Sequence, residues 1–159
     1  MKTIASFTVN HLTLQTGLYV SRMDRVGAET VTTFDLRMTR PNAEPVMDTA
    51  AVHAIEHLGA TFLRNDPEWG DRVVYFGPMG CRTGFYLILA GELESRDVFD
   101  LTKRMLLFIT GYEGEIPGAA ADMCGNYLDL NLSMAKYHAR KYLREVFETM
   151  DETRLSYPE

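Results

Sequence analysis

The feature that most constrains the fold is an apolar run near the middle of the chain, FYLILA at residues 85–90. A run this apolar is too hydrophobic for an exposed strand and is typical of a strand packed within a core. The glycines and the proline of residues 77–80 indicate a tight turn just before it. We therefore predict a buried strand over residues 83–90, joined through this turn to a strand over residues 72–76.

A further strand is predicted over residues 30–38 from their alternating pattern. Phe34, Leu36 and Met38 would face a core, whereas Arg37 lies on the opposite, polar face, where exposure to solvent is the default expectation. The Arg-Pro-Asn sequence of residues 40–42 ends this strand, because proline cannot continue the hydrogen-bond ladder.

Three helices are predicted from their caps and apolar stripes. Asp48 or Thr49 caps a helix over residues 48–64, Ser95 caps a helix that runs to residue 110, and the last helix covers residues 132–149. Strands and helices are mixed without regular βαβ alternation. We therefore predict an α+β fold with one domain over residues 1–159, in which a mostly antiparallel sheet packs with helices.

Charge and composition exclude several classes of function. The 159 residues include 16 Lys and Arg against 22 Asp and Glu, which gives a net charge of -6, and there is no basic run. Binding to nucleic acid or to an anionic membrane surface is not expected, because both need clustered Lys and Arg. A helix that spans a bilayer needs about 20 apolar residues, and no apolar run approaches that length. Polar residues interrupt the N-terminal stretch, so no signal peptide is expected. Without an export signal, the two cysteines are predicted to be free thiols of a cytoplasmic protein.

The sharpest local motif is His53-Ala54-Ile55-Glu56-His57 on the first predicted helix. Residues four apart project about 40° from each other on a helix, so the two imidazoles could grip one divalent ion. The Glu56 carboxylate lies on the same flank, where it could act as a base beside a metal ion. Two incidental histidines on a solvated face are the alternative, but the chain has only four histidines, and this pairing beside Glu56 favours the metal site.

A third protein ligand is expected from one of the two cysteines. Cys124 lies in an irregular segment beside Gly125, from which a thiolate could approach a distant helix. Cys81 lies in a tight turn, where a thiol can be exposed and activated by a nearby cation or metal. Each could instead be a small buried side chain, and the local pattern does not decide between these uses.

The H-x-x-E-H spacing also matches inverted zinc peptidases, so a small metallopeptidase is the first alternative. Such enzymes usually complete the site with a distant carboxylate and have longer chains. A chain of 159 residues leaves little room for a peptide-binding cleft.

Further motifs occur in order along nearly the whole chain. They are Ser6-Phe7, Asn10-His11, Phe34-Asp35-Leu36-Arg37, Pro41-Asn42, His53-x-x-Glu56-His57, PMGCRTGFY at residues 78–86, and Cys124-Gly125. Taken together, these motifs resemble the LuxS family of S-ribosylhomocysteine lyases. The resemblance implies metal-dependent cleavage of S-ribosylhomocysteine to homocysteine and 4,5-dihydroxy-2,3-pentanedione, the autoinducer-2 precursor of quorum sensing. It implies that this occurs by carbonyl migration and β-elimination.

The resemblance also assigns the metal site and the acid/base residues. It implies that His53, His57 and Cys124 bind a ferrous ion, which zinc or cobalt can replace. It implies that Cys81 and Glu56 are the two acid/base residues. We expect Cys81 to act as a thiolate in the isomerisation steps, and Glu56 to move protons at the sugar oxygens and in the elimination.

The resemblance further implies a homodimer with active sites at the subunit interface. Ser6, His11 and Arg37 match residues that bind the sugar end of the substrate, with Ser6 and His11 expected from the partner subunit. A non-catalytic relative that only binds ligand or metal is a weaker alternative, because it would predict loss of Glu56 or Cys81, and both are present.

The chain departs from the family's pattern at three positions. Tyr75 stands where many members have an acidic residue, Gly77 where they have Ser, and Asn10 where they have Asp. These changes concern the homocysteine end of the substrate rather than the metal chemistry.

Three other residues receive structural interpretations. We expect His11 to lie in an N-terminal strand and Trp69 to lie in an exposed turn. His138 is expected to be solvated on the last helix, with no functional role.

Overall fold

The computed structural model describes residue 4 and residues 7–149 and 151–158. In these ranges the chain forms one antiparallel sheet of four strands, in the order β1-β2-β4-β3. The strands are β1 (Gly17–Val26), β2 (Glu29–Arg37), β3 (Val73–Pro78) and β4 (Gly84–Ala90). The α-helices are α1 (Thr49–Arg64), α2 (Phe99–Gly111) and α3 (Leu132–Tyr142). This architecture agrees with the predicted α+β class.

Side-chain caps define the start of two helices. The Asp48 carboxylate accepts a hydrogen bond from the backbone N–H of Ala51 at 2.9 Å, and Asn131 does the same for Met134 at 3.0 Å. Each cap satisfies a backbone donor that has no partner within the first helical turn. The predicted start of α1 is therefore confirmed.

The second helix begins later than predicted. Ser95 does not cap it, because the Ser95 hydroxyl donates to the carbonyl of Leu155 at 3.0 Å, and α2 starts at Phe99. The last predicted helix also changes character. Its α-helical part ends at Tyr142 and continues as a π-helical turn, Leu143–Phe147.

The central strand β2 has both faces buried. Phe34 and Leu36 join the hydrophobic core beneath the helices. Asp35 and Arg37 point to the opposite face, yet they are only 1% and 4% exposed. The expectation of a solvated Arg37 is wrong because neighbouring strands flank β2 and Tyr157 from the C-terminal segment lies over this face.

Two residues expected at the surface are buried, each 8% exposed. Trp69 is held inward because the Asp66 carboxylate accepts its backbone N–H at 3.0 Å and so turns the chain back onto the core. His138 lies on the side of α3 that packs within the helical layer.

His11 lies in a turn rather than in a strand, and the N-terminal strand β1 begins only at Gly17. None of the helices in the described part of the chain has the length and apolar character that crossing a membrane requires.

Candidate active site

Two imidazoles on α1 and one thiol form a compact cluster in the helical layer. The candidate ligand atoms of His53, His57 and Cys124 all lie within 4.8 Å of one another. The thiol sulfur is 3.4 Å from Nε2 of His53, and the two imidazole centroids are 4.6 Å apart. The helical spacing places both rings on one face, and the segment between α2 and α3 brings Cys124 to them.

Backbone carbonyls fix the orientation of both imidazoles. Nδ1 of His53 is 2.9 Å from the carbonyl oxygen of Asp129, and Nδ1 of His57 is 2.7 Å from that of Pro117. A carbonyl can only accept, so each Nδ1 carries a hydrogen, and Nε2 is the nitrogen through which each ring could bind a metal. Second partners of this kind orient imidazoles that bind metals.

The backbone approaches His57 closely at Gly118. This residue has φ +74°, and a Cβ atom there would lie 3.2 Å from Nδ1 of His57. Glycine adopts this left-handed conformation without steric cost and leaves room for the imidazole. Two imidazole nitrogens and a thiol form a donor set that suits zinc, iron or cobalt, so this cluster could hold a metal ion.

A separate cavity of about 330 Å³ lies on the other side of the sheet. By strand alternation, Asp35 and Arg37 of β2 and Tyr86 of β4 point to this face, away from the helices. The residues of the wall that bear on its chemistry are His11, Asp35, Arg37, Cys81, Tyr86 and Tyr157.

Backbone hydrogen bonds fix the turn that carries Cys81. The carbonyl of Thr83 accepts the N–H groups of Met38 and Thr39, both at 3.0 Å, which ties the turn to the end of β2. The Met79 N–H donates to the Gly84 carbonyl at 2.9 Å and closes the turn itself. Cys81 is exposed at this turn, within the cavity wall.

The surroundings of Cys81 favour its thiolate form. Burial raises the pKa of the thiol, but hydrogen bonds from Thr83 and the positive charge of Arg37 act against burial, and the net pKa is lowered. The Arg37 guanidinium approaches the sulfur to 3.9 Å and donates to the Thr83 hydroxyl at 2.6 Å. A thiol in such surroundings is a better base and nucleophile than an ordinary cysteine.

The Arg37 guanidinium is held in place by the Asp35 carboxylate, which in turn accepts a hydrogen bond from Tyr157. One oxygen of the Asp35 carboxylate accepts from Arg37 at 2.5 Å and from the Tyr157 hydroxyl at 2.8 Å. Burial raises the pKa of Asp35 against the lowering effect of Arg37. The opposite charges of Asp35 and Arg37, two positions apart on one strand face, are the sequence signal that could have identified this pair. We find no such signal for Tyr157.

The remaining predicted site residues fall as follows. His11 lies on the cavity wall, and its Nδ1 is 2.8 Å from the carbonyl oxygen of Val9. Glu56 is half-buried on α1, beside the two imidazoles in sequence, and it does not line the cavity. Ser6 lies outside the described residues. Within the described ranges, no residue belongs to both the imidazole–thiol cluster and the cavity wall.

Comparison with known proteins gives one consistent result. The family model described as S-Ribosylhomocysteinase (LuxS) matches residues 4–153. A protein of Finegoldia magna is 61% identical and one of Clostridium acetobutylicum is 60% identical, each over 159 residues and 100% of both chains. A protein of Clostridium beijerinckii is 58% identical over 99% of each chain. All three relatives are named S-ribosylhomocysteine lyase.

Proposed function

The chain belongs to the S-ribosylhomocysteinase (LuxS) family, and on this premise we propose that His53, His57 and Cys124 hold the metal ion with which it cleaves S-ribosylhomocysteine. The activity is that of a carbon–sulfur lyase. The metallopeptidase alternative is not favoured, because relatives that are 58–61% identical over their full length carry the lyase name. The observation that carries the proposed site is the cluster of two oriented imidazoles and one thiol within 4.8 Å.

The donor set supports a ferrous ion, with zinc or cobalt as substitutes. Three protein ligands leave coordination positions open for substrate, which distinguishes a catalytic site from a closed structural one. When bound, the ion supplies Lewis acidity to the sugar oxygens, and its oxidation state need not change.

We assign the proton transfers to Cys81 and Glu56. The thioether of the substrate can leave only when a carbonyl stands beta to the carbon that bears sulfur. The carbonyl must therefore move from C1 to C3, and each shift removes a proton from one carbon and returns a proton to its neighbour. The Cys81 thiolate, with its lowered pKa, suits these transfers at carbon. Glu56, beside the two imidazoles on α1, suits proton transfer at oxygen and in the elimination that releases homocysteine.

We further propose that two copies of this single domain form a cytoplasmic homodimer and share their sites. What supports this is that the cavity with Cys81 and the cluster with Cys124 lie on different sides of one sheet. The cavity of one subunit would then face the metal cluster of the other. Arg37 would bind the sugar end of the substrate, and Ser6 and His11 would reach it from the partner of the subunit that holds the metal.

Thiol release tests the proposed activity directly. The purified, iron-loaded protein is incubated anaerobically with S-ribosylhomocysteine, and free thiol is titrated over time. The chain has two cysteines, so thiol in excess of two per chain reports released homocysteine. We expect many equivalents of new thiol and no hydrolysis of a peptide mixture. If the iron-loaded protein releases no thiol, or hydrolyses peptides instead, the proposal fails.

A further inference from the structure

The Thr83 hydroxyl lies between the two groups on which the chemistry of the cavity depends. Its oxygen is 2.6 Å from Nη1 of Arg37 and 3.1 Å from Sγ of Cys81. Thr83 is itself buried, with 5% of its surface exposed. Its backbone is fixed as well, because its carbonyl accepts from Met38 and Thr39.

The direction of the hydrogen bond between Arg37 and Thr83 follows from counting hydrogens. A guanidinium has only donors, so the Thr83 oxygen must accept from Arg37. Between the Thr83 hydroxyl and the Cys81 sulfur, 3.1 Å apart, either atom could donate, but a thiolate has no hydrogen, so the hydroxyl donates whenever Cys81 is a thiolate. The sulfur is then an acceptor, which is the role that a thiolate fills and that a neutral thiol fills only weakly.

The direct contact between Arg37 and Cys81 is too long for Arg37 alone to donate a strong hydrogen bond to the sulfur. Nη1 of Arg37 is 3.9 Å from the sulfur, against 2.6 Å from the Thr83 oxygen. A donor that is itself polarised by a cation forms a stronger hydrogen bond than an isolated hydroxyl. Thr83 therefore connects the positive charge of the guanidinium to the sulfur at shorter range.

From this geometry we propose that Thr83 is a positioning residue, whose hydroxyl is oriented by Arg37 and donates to the Cys81 sulfur, and so holds the thiolate in place for proton transfer. This inference deepens the proposed function and rests on the role assigned there to Cys81.

Other charged and titratable groups also face Cys81 and must stay constant in a test. Arg82 is its neighbour in the chain. The others line the cavity: Asp35 and Arg37 from β2, Tyr86 from β4, His11 from the turn before β1, and Tyr157 from the C-terminal segment. Substitutions at Thr83 change none of these residues, and Thr83→Val removes the acceptor of the 2.6 Å hydrogen bond from Arg37 together with the donor to the sulfur. The Thr83 backbone N–H also remains, so the variants isolate the hydroxyl.

The pH dependence of Cys81 alkylation tests the proposal. Wild type, Thr83→Val and Thr83→Ser are treated with iodoacetamide between pH 5 and pH 10, as metal-loaded protein without substrate. The modified peptides are then quantified by mass spectrometry, so that Cys81 and Cys124 are followed separately. Thr83→Val matches the shape of threonine without the hydroxyl, and Thr83→Ser keeps the hydroxyl.

We expect alkylation of Cys81 at neutral pH to be about tenfold slower in Thr83→Val, with the midpoint of its profile about one pH unit higher. Thr83→Ser should stay within about twofold of wild type, and the Cys124 profile should not change in either variant. A role in packing alone would leave the Cys81 midpoint where it is.

Two results would overturn the proposal. One is a Cys81 profile in Thr83→Val that coincides with wild type, and the other is a shift in Thr83→Ser as large as that in Thr83→Val. If Thr83→Val does not fold, Thr83→Ala provides the same comparison against Thr83→Ser. Because the alkylation needs no substrate, its outcome is independent of whether the protein releases homocysteine.

Discussion

The Tyr75 side chain occupies the space in which a side chain on residue 77 would begin. A Cβ atom on Gly77 would lie 2.0 Å from the Tyr75 hydroxyl oxygen and 2.4 Å from Cζ. The two residues lie on the same strand, β3, two positions apart and therefore on one face. An aromatic ring thus covers Gly77, which links the two positions at which the resemblance indicated a departure from the family's pattern.

We expect the effects of substituting Tyr75 and Gly77 to be coupled. Gly77→Ser alone should lower the free energy of unfolding by about 1 kcal/mol, because the ring of Tyr75 must move away into solvent. In a Tyr75→Asp background the same substitution should cost much less, which gives a coupling energy of about 1 kcal/mol. Chemical denaturation of the four proteins of the cycle measures it.

The matched control for this cycle is Val74→Ser, since Val74 is about as exposed as Tyr75, whereas the atoms nearest to a Cβ on Gly77 all belong to Tyr75. Its effect should add to that of Gly77→Ser. Additivity of Tyr75→Asp and Gly77→Ser would contradict the coupling.

The two cysteines should separate metal binding from turnover. Cys124→Ala removes one of three proposed ligands and should lower metal affinity by at least about tenfold, leaving purified protein depleted of metal. Cys81→Ala should keep one metal per chain and lose homocysteine release. Elemental analysis and thiol titration on the same samples check both statements, and metal loss in Cys81→Ala or normal turnover in Cys81→Ala would contradict the assignment.

Tyr157 should stabilise the buried ion pair from the C-terminal segment. Tyr157→Phe keeps the stacking on Tyr19, whose ring centroid is 4.8 Å away, and removes the hydroxyl that donates to Asp35 and also hydrogen-bonds with Ser21. A hydrogen bond to a buried charged group contributes about 1.5–3 kcal/mol, so the free energy of unfolding should fall by about that amount. Tyr137→Phe is the control, because Tyr137 is 52% exposed. Equal stability of the two variants would show that the Tyr157 hydroxyl contributes nothing.

Asp66 should make stability depend on acidic pH. Burial raises the pKa of Asp66, but the ion pair with Arg104 and the backbone N–H groups of Trp69 and Glu68 outweigh burial, and the net pKa is lowered. A carboxyl with a lowered folded-state pKa stabilises the protein fully above its unfolded pKa of about 3.9. That contribution is lost as the pH falls through the folded-state pKa.

Comparing wild type with Asp66→Asn therefore gives a difference that varies with pH. Wild type should be more stable by about 1–3 kcal/mol at pH 7, and the difference should vanish at the acid end. Denaturation curves from pH 7 to pH 2 measure it. A difference that stays constant over this range would contradict the argument.

Local patterns predicted the part of the site that one helix determines. The caps and the apolar stripe gave α1 with its start at Asp48, and the spacing of His53 and His57 gave two imidazoles on one face. Such features depend on residues within a few positions of each other, which a sequence displays directly. The position of Cys124 beside them followed only from resemblance, because no local rule brings a loop thiol to a helix 71 positions earlier.

Features that depend on distant segments were not predicted. The alternation of β2 indicated one buried face, but the C-terminal segment also buries Asp35 and Arg37. Trp69 and His138 looked exposed by their neighbours in sequence and are buried by tertiary packing. For Asp35 and Arg37 a contact with a segment far along the chain decided the outcome, whereas a local hydrogen bond to Asp66 turns Trp69 onto the core.

The segment between Gly111 and Leu132 supplies the thiol of Cys124 and also the two carbonyls that orient His53 and His57. It contains no helix or strand of its own within its described length, so its conformation depends on its contacts with the rest of the protein. A bound ion would be a removable cross-link between this segment and α1. Because the two linked points lie far apart in the chain, such a cross-link strongly lowers the conformational entropy of the residues between them. Stripping the ion should therefore loosen the carbonyls together with the sulfur, so that a chelator disables the orientation of the imidazoles as well as the metal chemistry.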